Sequence, residues 1–212
     1  MFVRKHLFEN IKLVAFDIDE KYPQVKAEEL DQYLVTQKNM EFIRNHPEVK
    51  ITVGEIRRVF YQDIGKKYNC PESFADDLYD TWQKKRNEYK VYPCVEPLFR
   101  QVKQHGCLLV VITDGTADFT NIPYLNQYVD LFVSPQTCNV TKVNGEAYSA
   151  VMKAYPSIPA SSCVMIGDNP ISDILRAREK GWKTIYIAPS SDESAADWTV
   201  PSVSELLSNS FV

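Results

Sequence analysis

Residues 12–22 read KLVAFDIDEKY, where an apolar run (Leu13, Val14, Ala15, Phe16) delivers two aspartates, Asp17 and Asp19, one residue apart. On extended backbone, residues i and i+2 share a face, so both carboxylates can point the same way. Two carboxylates this close need a cation, or one of them must hold a proton. Similar residues recur behind later apolar runs. Thr113, Asp114 and Gly115 follow LLVVI; Gly167, Asp168, Asn169 and Pro170, and then Asp173, follow VMI. Lys142 stands just ahead of a helix-like stretch at 146–154. The carboxylates of Asp17, Asp19, Asp168 and Asp173 are hard oxygen donors. Such donors suit Mg²⁺, which is commonly held by one or two carboxylates together with waters and a substrate phosphate. A helix beginning near Ile171 would point a positively polarised amino end at the same place.

Positioning these groups requires a particular kind of scaffold. Short runs rich in Val and Ile at 13–16, 107–112, 131–133, 163–166 and 184–187 read as buried strands. Helix-like stretches lie between them: 96–104 before Gly106, 146–154 before Pro156, and 171–180 before Gly181. Strands alternating with helices predict a parallel sheet covered on both faces, a doubly wound α/β layout. In such sheets the active crevice lies beyond the carboxyl ends of the strands, where the residues above fall. One region breaks the alternation. Between about 23 and 92, Val53, Ile56, Val59, Phe60 and Ile64 recur at helix spacing, as do Phe74, Leu78, Tyr79 and Trp82. This predicts an all-helical insert after the first strand, with Pro93 marking the return. The expected division is a core from 1–21 and 93–212, and a helical domain from 22–92.

Bulk properties exclude several function classes. The chain has 212 residues, 44% of them hydrophobic and 25% charged, an ordinary globular balance that can bury a sizeable core. A net charge of -4 advertises no surface for nucleic acid. No apolar run approaches the roughly 20 residues of a membrane helix. The opening MFVRKHLFEN lacks both a long apolar run and a small-residue cleavage site, so no secretory leader is expected. The 5 cysteines are scattered and form no CxxC, which argues against a thiol-rich zinc site and for a reduced, cytoplasmic setting. Cys107 and Cys163, at the starts of apolar runs, are expected to be small core residues. The 7 glycines form neither GxGxxG nor GxxxxGK[ST], so a glycine-rich nucleotide loop is not expected.

Taken in order, these motifs resemble the haloacid dehalogenase (HAD) superfamily in its large phosphatase branch. FDIDEK is similar to the family's apolar strand and DxDx[TV]. LLVVITDG supplies the strand ending in Ser or Thr, KVNGEAY the lysine, and VMIGDNPISD the strand followed by GDxxxxD. The resemblance covers roughly 10–21 and 93–207, and the helical insert sits where the family's type 1 cap sits. It implies a Rossmann-like core with a helical cap, acting as a Mg²⁺-dependent phosphatase on a small phosphorylated metabolite. By the same resemblance, Asp17 is the nucleophile that becomes an aspartyl-phosphate, and Asp19 is the general acid/base. Thr113 and the backbone amide of Asp114 hold phosphoryl oxygens. Lys142 neutralises charge. Asp17, the carbonyl of Asp19, and Asp168 hold Mg²⁺, with Asp173 a further ligand or its support.

Asp19 distinguishes this pattern from that of 2-haloacid dehalogenases, which lack the second aspartate and the metal. A phosphomutase would keep it. Lys21 departs from the family's Thr or Val, which leaves as an alternative a weakly active or inactive binding protein. The size of the cap suits a small substrate: a sugar phosphate, a nucleotide or flavin mononucleotide. A monomer or homodimer is expected, with no nucleic acid or membrane partner.

Overall fold

The computed structural model describes residues 41, 44, 53–88, 91–188 and 195–208. They divide into two compact units. The helical unit holds 53–88 together with Gly115–Asp118; the α/β unit holds 91–114 and the residues from 119 onward. The predicted strand at 13–16 and the predicted boundary at 21/22 lie outside the described residues.

In the helical unit, α1 (Val53–Lys67) and α2 (Phe74–Arg86) form the predicted pair. Ile56, Tyr61 and Ile64 of α1 and Phe74, Ala75, Leu78 and Trp82 of α2 are buried. Most of these pack as one apolar cluster, as spacings of three and four residues require. Gly65 lets the helices approach: a Cβ there would meet Phe74 Cδ1 at 2.9 Å. The turn is closed by Asn69 at φ 51° and by a bond from the Cys70 amide to the Gly65 carbonyl at 2.9 Å.

The α/β unit begins with α3 (Val95–Gln104), which buries Val95, Leu98 and Phe99 and stops at Gly106, φ 71°. β1 (Val110–Ile112) pairs in parallel with β2 (Leu131–Val133), with Val110 opposite Leu131. Then follow α4 (Glu146–Ala154), β3 (Val164–Gly167), β4 (Lys183–Ile187) and β5 (Trp198–Val200). β3 and β4 are parallel, as are β4 and β5, in the order β3-β4-β5. Neighbouring residues of β3 serve opposite faces. Met165 joins Ile112, Val133, Tyr148, Val151 and Trp182 on one side. Ile166 packs with Leu98, Ile185, Val200 and Leu206 on the other. The fold is therefore the expected doubly wound parallel α/β arrangement, with helices on both faces.

Two local expectations need correction. The run at 107–112 becomes strand only from Val110, because Asp130 takes over the preceding backbone. Its carboxylate accepts from the Leu109 amide at 2.7 Å, and its own amide donates to the Leu109 carbonyl at 2.8 Å. Cys107, left in the turn after Gly106, is exposed rather than in the core, and Cys163 is half-buried. β5 was not anticipated.

Candidate functional site in the α/β unit

β1 leads into Thr113, whose amide still donates to the Val133 carbonyl at 3.0 Å. Asp114 comes next. Its side chain accepts a 2.6 Å bond from the backbone amide of Lys142 and so pins the loop that carries the lysine. Lys142 is itself buried, and its ammonium reaches Asp173 Oδ1 at 2.6 Å. Asp173 is 1% exposed. The loop is closed by Gly145 (φ 78°), whose amide bonds the Lys142 carbonyl at 2.9 Å; α4 starts there.

The second half of the site follows β3. Asp168 is exposed at the strand's carboxyl end. Asn169 caps the turn after it: its side-chain oxygen accepts from the amides of Ile171 and Ser172 at 3.0 and 2.9 Å. The chain then forms a π-helical turn, Pro170–Leu175, in which the Ile174 amide bonds the Asn169 carbonyl at 3.3 Å. Wide turns of this kind frequently sit at functional sites. This one turns Asp173 back under the strand end. Asp173 Oδ2 accepts from the Asn169 amide at 3.1 Å, and Oδ1 accepts from the Ser172 hydroxyl at 3.2 Å as well as from Lys142. The carboxylate passes so close to Gly167 that any Cβ there would collide with it. Space, not backbone angle, therefore demands glycine at this position.

Tyr148 of α4 secures the arrangement from below. It is fully buried, and its hydroxyl donates to the Ser172 carbonyl at 2.6 Å. Burial, reinforced by the negative charges of Asp173 and Asp114, pushes the phenol far above its ordinary value. Tyr148 thus stays a donor at every working pH.

Of the residues singled out from sequence, Asp114, Lys142 and Asp173 come together as one hydrogen-bonded unit, and Thr113 adjoins it in the chain. Asp17 and Asp19 lie outside the described residues. Sequence reasoning missed Asn169, Ser172 and Tyr148 as supports. Asn169 before Pro170 carried a readable helix-start signal. Ser172 carried none, because its role depends on the π-helical turn.

This site can do two things. It presents an ammonium group, with one donor satisfied by Asp173, beside the end of a parallel strand. It also presents Asp168 as an outward carboxylate, a hard oxygen donor that fits Mg²⁺. Asp173 is already neutralised by Lys142, so it fits a supporting position better than a direct ligand. Among the described residues, no cluster of three or more His, Cys, Asp or Glu side chains could hold a metal.

Comparison with known proteins places these features in context. A family model described as haloacid dehalogenase-like hydrolase matches residues 11–181. A phosphoserine phosphatase of Thermus thermophilus is 23% identical over 157 residues, covering 70% of this chain; the chain matches 62% of that protein's length. Among solved structures, the 2-haloacid dehalogenase of Pseudomonas syringae pv. tomato superposes with a TM-score of 0.79 at 18% identity, covering 98% of this chain and 93% of the other. A HAD phosphatase of Thermococcus onnurineus superposes at 0.63 and 15% identity, covering 98% and 92%. At these identities the superpositions speak for the fold alone.

Proposed function

The chain belongs to the haloacid dehalogenase-like hydrolases, and within that family we propose that it is a Mg²⁺-dependent phosphatase acting on a small phosphorylated metabolite. The observation that carries this reading is Asp19, two residues beyond the nucleophile Asp17. A leaving alkoxide needs a proton that a departing halide does not, so this second aspartate has work only in phosphoryl chemistry. The phosphoserine phosphatase relative supports the same choice.

The proposed steps balance as follows. A carboxylate oxygen of Asp17 attacks phosphorus, and the bond to the ester oxygen breaks as Asp19 donates its proton to the leaving alcohol. Asp19 then takes a proton from water, which attacks the aspartyl-phosphate and releases inorganic phosphate and Asp17. Acid/base help of this kind contributes about 10²–10⁴-fold. Thr113 and the Asp114 amide hold phosphoryl oxygens. Lys142, held by Asp173 and by the side chain of Asp114, offers its remaining donors to the same charge. Asp17, the Asp19 carbonyl and Asp168 would hold the cation, with Asp173 in support. When bound, Mg²⁺ lets a carboxylate and a phosphate approach each other.

Residues 22–92 are proposed as the cap, and α1 and α2 are its described part. Among the described residues, no helix is long and apolar enough to cross a membrane. A second reading, a weakened or inactive binding protein, rests on Lys21. The reaction class is tested by offering p-nitrophenyl phosphate and 2-chloropropionate side by side. Phosphate release without chloride release is expected, and chloride release would overturn the assignment. Inactivity on both, relieved by Lys21→Thr, would favour the second reading.

A further inference from the structure

The loop that carries Lys142 closes on Asn144 and Gly145, the one place in the chain where glycine follows asparagine. A peptide nitrogen on glycine has no Cβ beside it to block its approach to the preceding side chain. In this loop that side chain is held in place. Asn144 Oδ1 accepts from the Glu146 amide at 3.1 Å and from the Thr141 hydroxyl at 3.2 Å. The bond from Glu146, two residues on, folds the Asn144 side-chain carbonyl back over the intervening peptide. Cγ is thereby brought toward the Gly145 nitrogen. The peptide is fixed from its own side as well. Gly145 stands at φ 78°, and its amide donates to the Lys142 carbonyl at 2.9 Å.

The charges around this pair favour attack on Cγ. Both donors on Oδ1 point at the atom where negative charge would develop, which is the logic of an oxyanion hole. α4 starts at Glu146, and its amino end adds positive potential at the same atom. A cation lies alongside: a Cβ on Gly145 would meet Lys180 Cε at 2.9 Å and Nζ at 3.8 Å. Asn144 is exposed, so water can reach the side chain and a small leaving group can depart.

We propose that Asn144 and Gly145 form a self-modification site at which Asn144 loses its amide and becomes an aspartyl or isoaspartyl residue. A solvent base takes the Gly145 amide proton once the bond to the Lys142 carbonyl opens. The nitrogen then bonds to Cγ, the Cγ–Nδ2 bond breaks, and Nδ2 gains a proton from water and leaves as ammonia. Water adds to either carbonyl of the resulting cyclic imide and breaks that carbonyl's bond to nitrogen. Opening at Cγ gives an ordinary aspartate. Opening at the Asn144 main-chain carbonyl routes the backbone through the side chain. The isoaspartyl product puts an extra methylene into the turn between the Lys142 carbonyl and the Gly145 amide, and so loosens the loop that presents Lys142. The loss of turnover this brings rests on the phosphatase reading; the modification itself does not.

The test incubates native protein at neutral pH beside the same protein unfolded in guanidinium chloride, with trypsin digestion and mass spectrometry at intervals. Cleavage after Lys142 and Lys153 releases peptide 143–153, in which Asn144 carries the only side-chain amide. The native protein is expected to accumulate the mass gain of amide-to-acid exchange in this peptide faster than the unfolded chain does. Thr141→Val, which removes one donor from Oδ1, is expected to slow the native reaction about tenfold, as loss of one hydrogen bond to a developing charge does. Its rate when unfolded should equal that of the unfolded wild type. A native rate below the unfolded rate overturns the proposal, because the fold then protects the pair. So does a native Thr141→Val rate equal to that of the wild type. The native-against-unfolded comparison needs no variant, and neither arm needs turnover, so failure here is distinct from failure of the phosphatase assignment.

Discussion

At the residue scale, the centre of the site is a buried ion pair whose members depend on each other. Lys142 and Asp173 are 7% and 1% exposed at 2.6 Å. Removing one partner leaves an uncompensated buried charge, which typically costs about 3–5 kcal/mol. Asp173→Asn is therefore expected to lower unfolding stability by about that amount in urea denaturation, and to abolish turnover with it. Replacing both residues with apolar side chains should restore much of the stability and none of the activity, which separates the structural role from the chemical one. Gly167→Ala is expected to cost about 1–3 kcal/mol, the usual range for overpacking, because the new methyl meets the Asp173 carboxylate. Circular-dichroism melting would read it. Thr113, Asp114, Asp168 and Asp173 could be singled out in the sequence because each follows an apolar run, and Lys142 because it stands ahead of a helix-like stretch. The supporting bonds could not. That Asp114 would hold Lys142 by its side chain, or that Tyr148 would reach the Ser172 carbonyl, follows from three-dimensional packing across 24 to 28 residues.

At the element scale, the strands and helices that repeat strongly were legible, and those held by single polar contacts were not. β4 and α4 announce themselves by β-branched or helical patterning. β5 is a run of only 3 residues with two of them exposed. Asp197, which precedes it, ties its start to Thr184 of β4. Asp197 Oδ2 accepts from the Thr184 amide at 2.8 Å and from the Thr184 hydroxyl at 2.9 Å, and the Asp197 amide donates back to that hydroxyl at 3.1 Å. The hydroxyl bond, chiefly, holds this carboxyl below its usual range; desolvation opposes the shift, and the backbone amides and Arg178 add to it. A depressed carboxylate contributes stability above its unfolded value, near pH 4, and that stability is lost as pH falls through the folded value. The melting temperature of the wild type should therefore exceed that of Asp197→Asn at neutral pH. The gap should close below about pH 4. A gap independent of pH would contradict the clamp.

At the scale of the whole molecule, a change of hydrophobic periodicity along the chain is what makes the sequence predict a helical insert. Nothing in the sequence announces that Gly115–Asp118 belong to the helical unit. Nothing in those four residues departs from an ordinary loop; Gln83, reaching the Thr116 carbonyl, and the Asn87 side chain, accepting from the Asp118 amide at 2.9 Å, help tie them there. The proposed cation also belongs to this scale, since its ligands are drawn from distant parts of the chain. Chelation with EDTA is expected to abolish hydrolysis, and Mg²⁺ to restore it, while Ca²⁺, which prefers a larger and looser shell of oxygens, restores little. The most direct measurement of the central claim is hydrolysis of p-nitrophenyl phosphate by wild type and Asp17→Asn, each with and without Mg²⁺. The predicted result is activity in the wild type with Mg²⁺ and none in the other three conditions. Phosphate release by Asp17→Asn at the wild-type rate would contradict an aspartyl-phosphate route, and with it the function assigned to this site.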